Sequence, residues 1–291
     1  MSSSDIDDVE TAGAGLFDEP EDYYPPSPKP TMQTYTTRGG QTVNLHLVGY
    51  SPTEAHHLWN GSRVISDYFE SDPAEVEGRT VLELGAGAGL PSIMAAALGA
   101  RRVVMTDFPD ADIVANMWRN IDECDIIPAA SAAAASTSTT TGEGDGEDGE
   151  KGTKQDVLVA KGFVWGFDPV PLLAELPGAP GERFDVLILA DLLFRHAEHG
   201  KLLDTIRDTL KRSRGSKAFV FFTSYRPWLQ HKDLAFFDLA RERGYVVDKV
   251  LERKMDRPLF EDDPGDVEVL KTCTGWVVRW PEAEIVEEEE E

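Results

Sequence analysis

Apolar residues along this chain fall into short runs, most separated by an amphipathic stretch of helical length. The clearest run, Thr-Val-Leu-Glu-Leu at 80–84, predicts a buried strand. It ends in glycines at alternate positions, Gly85, Gly87 and Gly89. A small-residue helix is predicted over 92–98, then a second strand over 102–105 closed by Asp107. Upstream, 31–38 and 41–48 carry β-branched residues on either side of Gly39-Gly40, which predicts a β-hairpin. Ser51-Pro52-Thr53-Glu54 predicts a helix start, with Pro52 in the first turn and Trp59 inside the helix. Downstream the pattern predicts a helix over 113–123 with Met117 and Trp118 on or near its buried side. A third strand follows at 156–160, with its exit at 163–166. The continuous apolar run 184–191 ends in an acid, the mark of a central parallel strand. A helix over 198–211, a strand over 218–222 and a helix over 232–243 come next. In the last of these Leu234, Phe237 and Leu239 recur at helical spacing. Strands at 245–250 and 268–280, with no helix between them, close the list as a hairpin-like pair at the sheet edge.

Strand, glycine turn, helix, strand and acid in this order open a nucleotide-binding βαβ unit. Glycine serves where the chain bends sharply and where backbone must lie against a ligand. Asp107 follows Gly85 by roughly 20 residues, the spacing that lets a carboxylate accept hydrogen bonds from ribose hydroxyls. A pyrophosphate-binding fingerprint wants G-x-G-x-x-G. Here the third glycine comes one residue early, so the pattern is E-x-G-x-G-x-G, which does not favour a phosphate-bearing ligand.

Other segments lack this periodicity. Residues 1–30 form an extended arm in which Gly15-Leu16-Phe17-Asp18-Glu19-Pro20 and Tyr23-Tyr24-Pro25-Pro26 mix aromatics with acids and prolines. Such a segment builds no core; it is either a linker or a strip that lies along a surface. Residues 128–155 are a low-complexity insertion, and 283–291 an acidic tail. The α/β body is therefore 31–282.

A net charge of −25 argues against direct contact with nucleic acid and suits a basic protein partner or simple solubility. No apolar stretch is long enough to span a membrane. Cys124 and Cys273 are too few for a disulfide framework and point to a reducing, cytoplasmic setting. No Cys/His cluster has zinc spacing, so no metal is expected.

Trp165 stands at a strand exit, where open α/β sheets bind ligands, although core packing is an alternative for it. Trp59 reads on composition as core or as a pocket lid. Asp191-Leu192-Leu193-Phe194 places a carboxylate and an aromatic at the end of the fourth predicted strand. A carboxylate can orient a cationic amine, and an aromatic face favours the cation. The bland alternative for Asp191 is the N-cap of the following segment. His196 and His199 are more economically read as structural, and Asp185 as a turn residue. Arg226-Pro227-Trp228 borders the same edge and could shape a channel there.

The glycine motif from Glu83 to Pro91, the strand order and the stretch Asp191 to His199 resemble the seven-strand protein lysine methyltransferases. Taken with the arm motifs and the hairpin, the likeness narrows to the fungal elongation factor methyltransferases. The resemblance implies a Rossmann-like seven-strand sheet with helices on both faces, and S-adenosyl-L-methionine as cofactor. It implies cofactor contacts from Trp59, Gly85, Ala86, Gly87, Asp107, Trp165 and Ala190, and catalytic roles for Asp191 and Phe194. It further implies translation elongation factor 1-alpha as protein substrate, methylated on its N-terminal glycine and the adjacent lysine by a monomeric enzyme. A small-molecule, nicotinamide-like N-methyltransferase is the alternative activity, and a non-catalytic cofactor-stabilised scaffold the third reading. The insertion departs from the family pattern, which puts only the local loop in doubt and nothing catalytic.

Overall fold

The computed structural model describes residues 28–128, 153–178 and 181–286. The arm motifs at 15–26, most of the insertion and the end of the acidic tail lie outside the described residues.

Strands β1 (Thr31–Thr36) and β2 (Thr42–Leu47) pair antiparallel, as the Gly-Gly turn predicts. Helix α1 (Asn60–Ser71) follows, then β3 (Thr80–Leu84), α2 (Leu90–Ala97), β4 (Arg102–Asp107) and α3 (Ala111–Glu123). After the insertion come β5 (Leu158–Gly162), the single turn α4 (Val170–Leu173), β6 (Val186–Ala190), α5 (His199–Thr209) and β7 (Lys217–Thr223). Helix α6 (Gln230–Glu242), β8 (Val246–Lys254), the single turn α7 (Val267–Leu270) and β9 (Thr272–Arg279) complete the chain.

Seven strands form one sheet in the order β5-β4-β3-β6-β7-β9-β8, with β9 antiparallel to both its neighbours. One buried cluster packs α1, α2, α3 and the hairpin on one face; a second packs α4, α5 and α6 on the other. Strand β3 is buried along its whole length, which explains why apolar residues dominate both its faces. Glu83, the one acid in that strand, is treated below.

Two expectations need correction. Helix α1 starts at Asn60, not at 51–54, and Trp59 is its N-cap residue rather than an interior one. The Ser51 hydroxyl accepts a hydrogen bond from the Thr53 amide at 3.1 Å, and Glu54 takes a left-handed φ of 67°. A side chain that bonds its own backbone two residues on makes a turn at the expense of a helix. The one-turn helix α7 also lies where 268–270 was expected to be strand; Asp266 caps it by accepting the Glu268 amide at 2.9 Å.

The hairpin is anchored beside the glycine bend by one buried residue. Asn120 on α3 accepts the His46 amide at 2.8 Å and donates to the carbonyls of His46 and Ala88, each at 3.0 Å. Strand β2, α3 and the bend are thereby tied at one point. Asn120→Ala strands the His46 amide and the Ala88 carbonyl, while the His46 carbonyl keeps the Asn116 side-chain amide at 2.7 Å; it is expected to cost about 2–3 kcal/mol, read as a lower denaturant midpoint, with faster amide exchange at His46.

Candidate active site

Where strand order reverses, the helices on either side diverge and leave a crevice at the carboxyl ends of the strands. Here the reversal falls between β3 and β6. A cavity of about 420 Å³ opens there, in the range of small-molecule sites. Its floor is the bend Gly85–Ala88; its walls come from the ends of β4, β5 and β6 and from residues 52–59.

The bend is held by acids and backbone. Asp107, at the end of β4, accepts the Gly87 amide at 2.7 Å and the Phe108 amide at 2.6 Å. The Ala86 amide donates to the Thr106 carbonyl at 2.9 Å. Burial pushes the Asp107 carboxyl above the usual range, and its two amide donors oppose that shift. Each carboxylate oxygen keeps a further lone pair beside the cavity. Gly85 has φ +61°, and a Cβ built on it would lie 2.5 Å from Leu192 Cδ2 and 3.2 Å from Trp165 Cζ2. Any side chain at Gly85 would therefore meet the wall that faces it.

Glu83 sits beneath this floor, fully enclosed. Its Oε2 accepts the Ser92 amide at 2.9 Å and the Ser92 hydroxyl at 2.5 Å; Oε1 has no hydrogen-bond partner. Burial pushes its carboxyl up to about 8.

Asp191 is placed differently from the N-cap alternative. It does not cap the segment after it. Its Oδ2 accepts the amide of Gly61 in the first turn of α1, and Oδ1 accepts the Thr223 amide at 2.8 Å. Its backbone takes a φ of 55°, while its own amide donates to the Phe221 carbonyl at 2.8 Å. Burial pushes this acid up to about 7, partly offset by the two amides. Gly61 makes the clasp possible: a Cβ there would lie 2.5 Å from Asp191 Oδ2 and 2.6 Å from the Phe221 carbonyl oxygen.

The structure brings the remaining expected residues to the same cavity. Ala190 ends β6 on its wall, and half-buried Trp165 leans over Gly85. Trp59 is neither core nor remote. Its ring lies nearly parallel to Phe194, centroids 6.3 Å apart, and 4.8 Å from Tyr225. Its indole N–H donates to the Glu54 carbonyl at 3.1 Å. His196 and His199 do not line the cavity: the first meets Asp233 at 2.7 Å, the second the Leu193 carbonyl at 2.8 Å. Arg226 donates to the Phe194 carbonyl at 2.7 Å and so steadies that loop.

Residues not foreseen also stand here. Phe108 lines the cavity with half its surface exposed, and its position directly after Asp107 was the available signal. His57 lines the opposite lip, where burial and His56 lower its affinity for a proton. Among the described residues, Glu54, His56 and His57 also bring three potential ligand atoms within 4.8 Å of one another. Gly61, Tyr225 and Phe260 carried no sequence signal at all.

The sheet order, the alternate-glycine bend and the acid ending the next strand define an S-adenosylmethionine-dependent methyltransferase of the seven-strand class. A family profile described as lysine methyltransferase matches residues 49–176. The chain is 59% identical over 276 residues to a protein N-terminal and lysine N-methyltransferase of Neurospora crassa, covering 94% of this chain and 90% of that one. It is 54% identical to a Gibberella zeae protein of the same name and 34% identical to one from Schizosaccharomyces pombe, covering 97% and 98% of those chains. In each case 94% of this chain is matched. This chain belongs to that family of protein N-terminal and lysine N-methyltransferases.

Glu83 offers a stability test independent of activity. Its folded-state proton affinity, raised from 4.5 to about 8, stabilises the fold fully below pH 4.5, and that contribution is lost as pH rises toward 8. Glu83→Gln should flatten the fall of the denaturation midpoint across this window, measured by urea titration at several pH values.

Proposed function

We propose that S-adenosylmethionine occupies the crevice between β3 and β6 and that the acceptor is the N-terminus of translation elongation factor 1-alpha, at its exposed glycine and the lysine beside it. The observation that carries this reading is one cavity lined both by a glycine floor with the buried Asp107 and by an aromatic wall with the buried Asp191.

The residues present suit the cofactor. The cavity volume is adequate, no side chain fills the floor at Gly85, and Asp107 retains lone pairs for ribose hydroxyls. Gly85, Ala86 and Gly87 present backbone to the amino-acid tail. Trp165 borders the base, and Ala190 leaves room at the strand end. When bound, the cofactor supplies an electrophilic methyl group on sulfur. Trp59 and Phe194 offer π-faces to the acceptor ammonium and exclude water from it. Asp191, fixed by two amides, contributes a stationary negative field that orients the amine.

Support for a protein acceptor comes from the match along nearly the whole chain to enzymes named for N-terminal and lysine methylation. The net charge of −25 suits a basic protein partner and disfavours nucleic acid. Cys124 and Cys273, both buried and unbridged, fit work in the cytoplasm. Among the described residues no helix is long and apolar enough to cross a membrane.

Purified elongation factor 1-alpha from cells lacking this protein should take up label from S-adenosylmethionine at its N-terminal glycine and adjacent lysine, located by mass spectrometry. Label on free nicotinamide and none on protein would overturn the substrate assignment. For the cofactor half, Asp107→Ala should weaken S-adenosylhomocysteine binding about 10- to 100-fold by calorimetry, as expected for loss of hydrogen bonds to a charged group.

A further inference from the structure

The loop between β8 and β9 reaches back to the cavity mouth. It is closed at its base by the Met255 amide, which donates to the Lys271 carbonyl at 2.8 Å. At its tip half-buried Phe260 points an edge at two residues of the cavity wall: His57, with centroids 4.9 Å apart, and Trp59, at 5.7 Å. Tyr225 stands 6.0 Å away on the third side. Trp59 and Tyr225 are each fixed from behind, the first by its bond to the Glu54 carbonyl, the second by accepting the Asn60 amide at 3.1 Å. Phe260 therefore meets a preset surface, and the loop is keyed onto the outer face of the site.

Three acids follow the ring. Glu261 pairs with Arg257 at 2.8 Å, whereas Asp262 and Asp263 make no ion pair among the described residues. On the far flank Gly265 packs against Pro227, where a Cβ would lie 3.0 Å from the proline ring. The loop thus carries, next in sequence to the aromatic residue that meets the cavity wall, two carboxylates with no ion pair among the described residues.

We propose that this loop, residues 256–266, is the docking rim for the polypeptide that carries the acceptor, and that its occupant is a flexible, cationic chain terminus. The inference rests on the functional reading above and adds the surface that selects the substrate. Phe260 is a positioning residue: it holds His57 and Trp59 while the segment beyond the acceptor crosses the rim. Asp262 and Asp263 meet the positive charges of that segment. A small neutral base would have no use for either.

The test is steady-state kinetics with a synthetic peptide beginning Gly-Lys and carrying further lysines. Phe260→Ala should raise KM for the peptide about tenfold, while S-adenosylhomocysteine affinity stays within about twofold. Phe260→Trp should restore the KM. The double variant Asp262→Asn with Asp263→Asn should raise KM at low salt and flatten its dependence on ionic strength. An unchanged KM in both variants overturns the proposal. So does a parallel loss of S-adenosylhomocysteine affinity in Phe260→Ala, because that would make the ring a mere prop for the cavity. If the unaltered enzyme binds S-adenosylhomocysteine but labels no peptide or protein, the functional reading itself fails, and this proposal with it.

Discussion

The contact between Asp107 and the Gly87 amide decides what the rest of this molecule can do. A chain that leaves a buried strand and turns back into a helix must satisfy its turn amides without water. Here a carboxylate from the neighbouring strand accepts one of them at 2.7 Å. The same device recurs beneath the bend, where Glu83 accepts the Ser92 amide, and across the site, where Asp191 accepts the amides of Gly61 and Thr223. Three buried acids thus hold the backbone in and around the cavity. Their burial is costly, and their raised proton affinities record that cost. The return is a floor with no side chain on it, rigid enough to cradle a nucleoside.

Much of this was legible in advance because it is local. Alternating glycines after an apolar run, and an acid about 20 residues later, are written within one βαβ unit. The seven strands follow from apolar runs and their separations, since a central parallel strand has no polar face to blur the pattern. The start of α1 was misplaced by a local competitor: Ser51 bonding the amide of Thr53 looks in sequence like a helix cap, yet it makes a turn. Gly61, Tyr225 and Phe260 were out of reach for another reason. Gly61 matters only because Asp191, 130 positions further on, needs its amide and the space of its missing side chain. Phe260 matters only because β8 and β9 deliver its loop to Trp59. Neither fact has a period or a spacing.

The two halves of the cavity follow this division. The nucleoside end is built from consecutive pieces of one chain segment and has a motif. The proposed acceptor side is assembled from residues near 57–59, 191–194 and 225, with the loop at 260 behind them, and of these only Asp191 to Phe194 formed a motif in the sequence. The family profile covers 49–176 and so takes in the first end while stopping short of most of the second. Methyltransferases of one sheet order can therefore share a legible cofactor site and differ in an acceptor site that only the fold reveals.

An acceptor amine poses a specific electrostatic problem. It arrives as an ammonium ion and must give up a proton before its lone pair can attack. A fully ionised carboxylate in contact would bind the cation well and, by the same interaction, raise its proton affinity and oppose that loss. An aromatic face attracts the cation more weakly, by quadrupole rather than net charge. The wall here is mainly aromatic, with Trp59 nearly parallel to Phe194. The acid nearest to it, Asp191, is spent on two amides, and burial raises its proton affinity. His57 on the lip is held toward its neutral form by burial and by His56, so it adds no positive charge beside the amine. In the proposed arrangement Asp262 and Asp263 stand apart from that wall, on the loop after Phe260, and attract a cationic segment without clamping the proton that must leave. On the proposed reading, separating attraction at the rim from deprotonation at the wall lets one site both gather a basic chain terminus and use its nitrogen as a nucleophile.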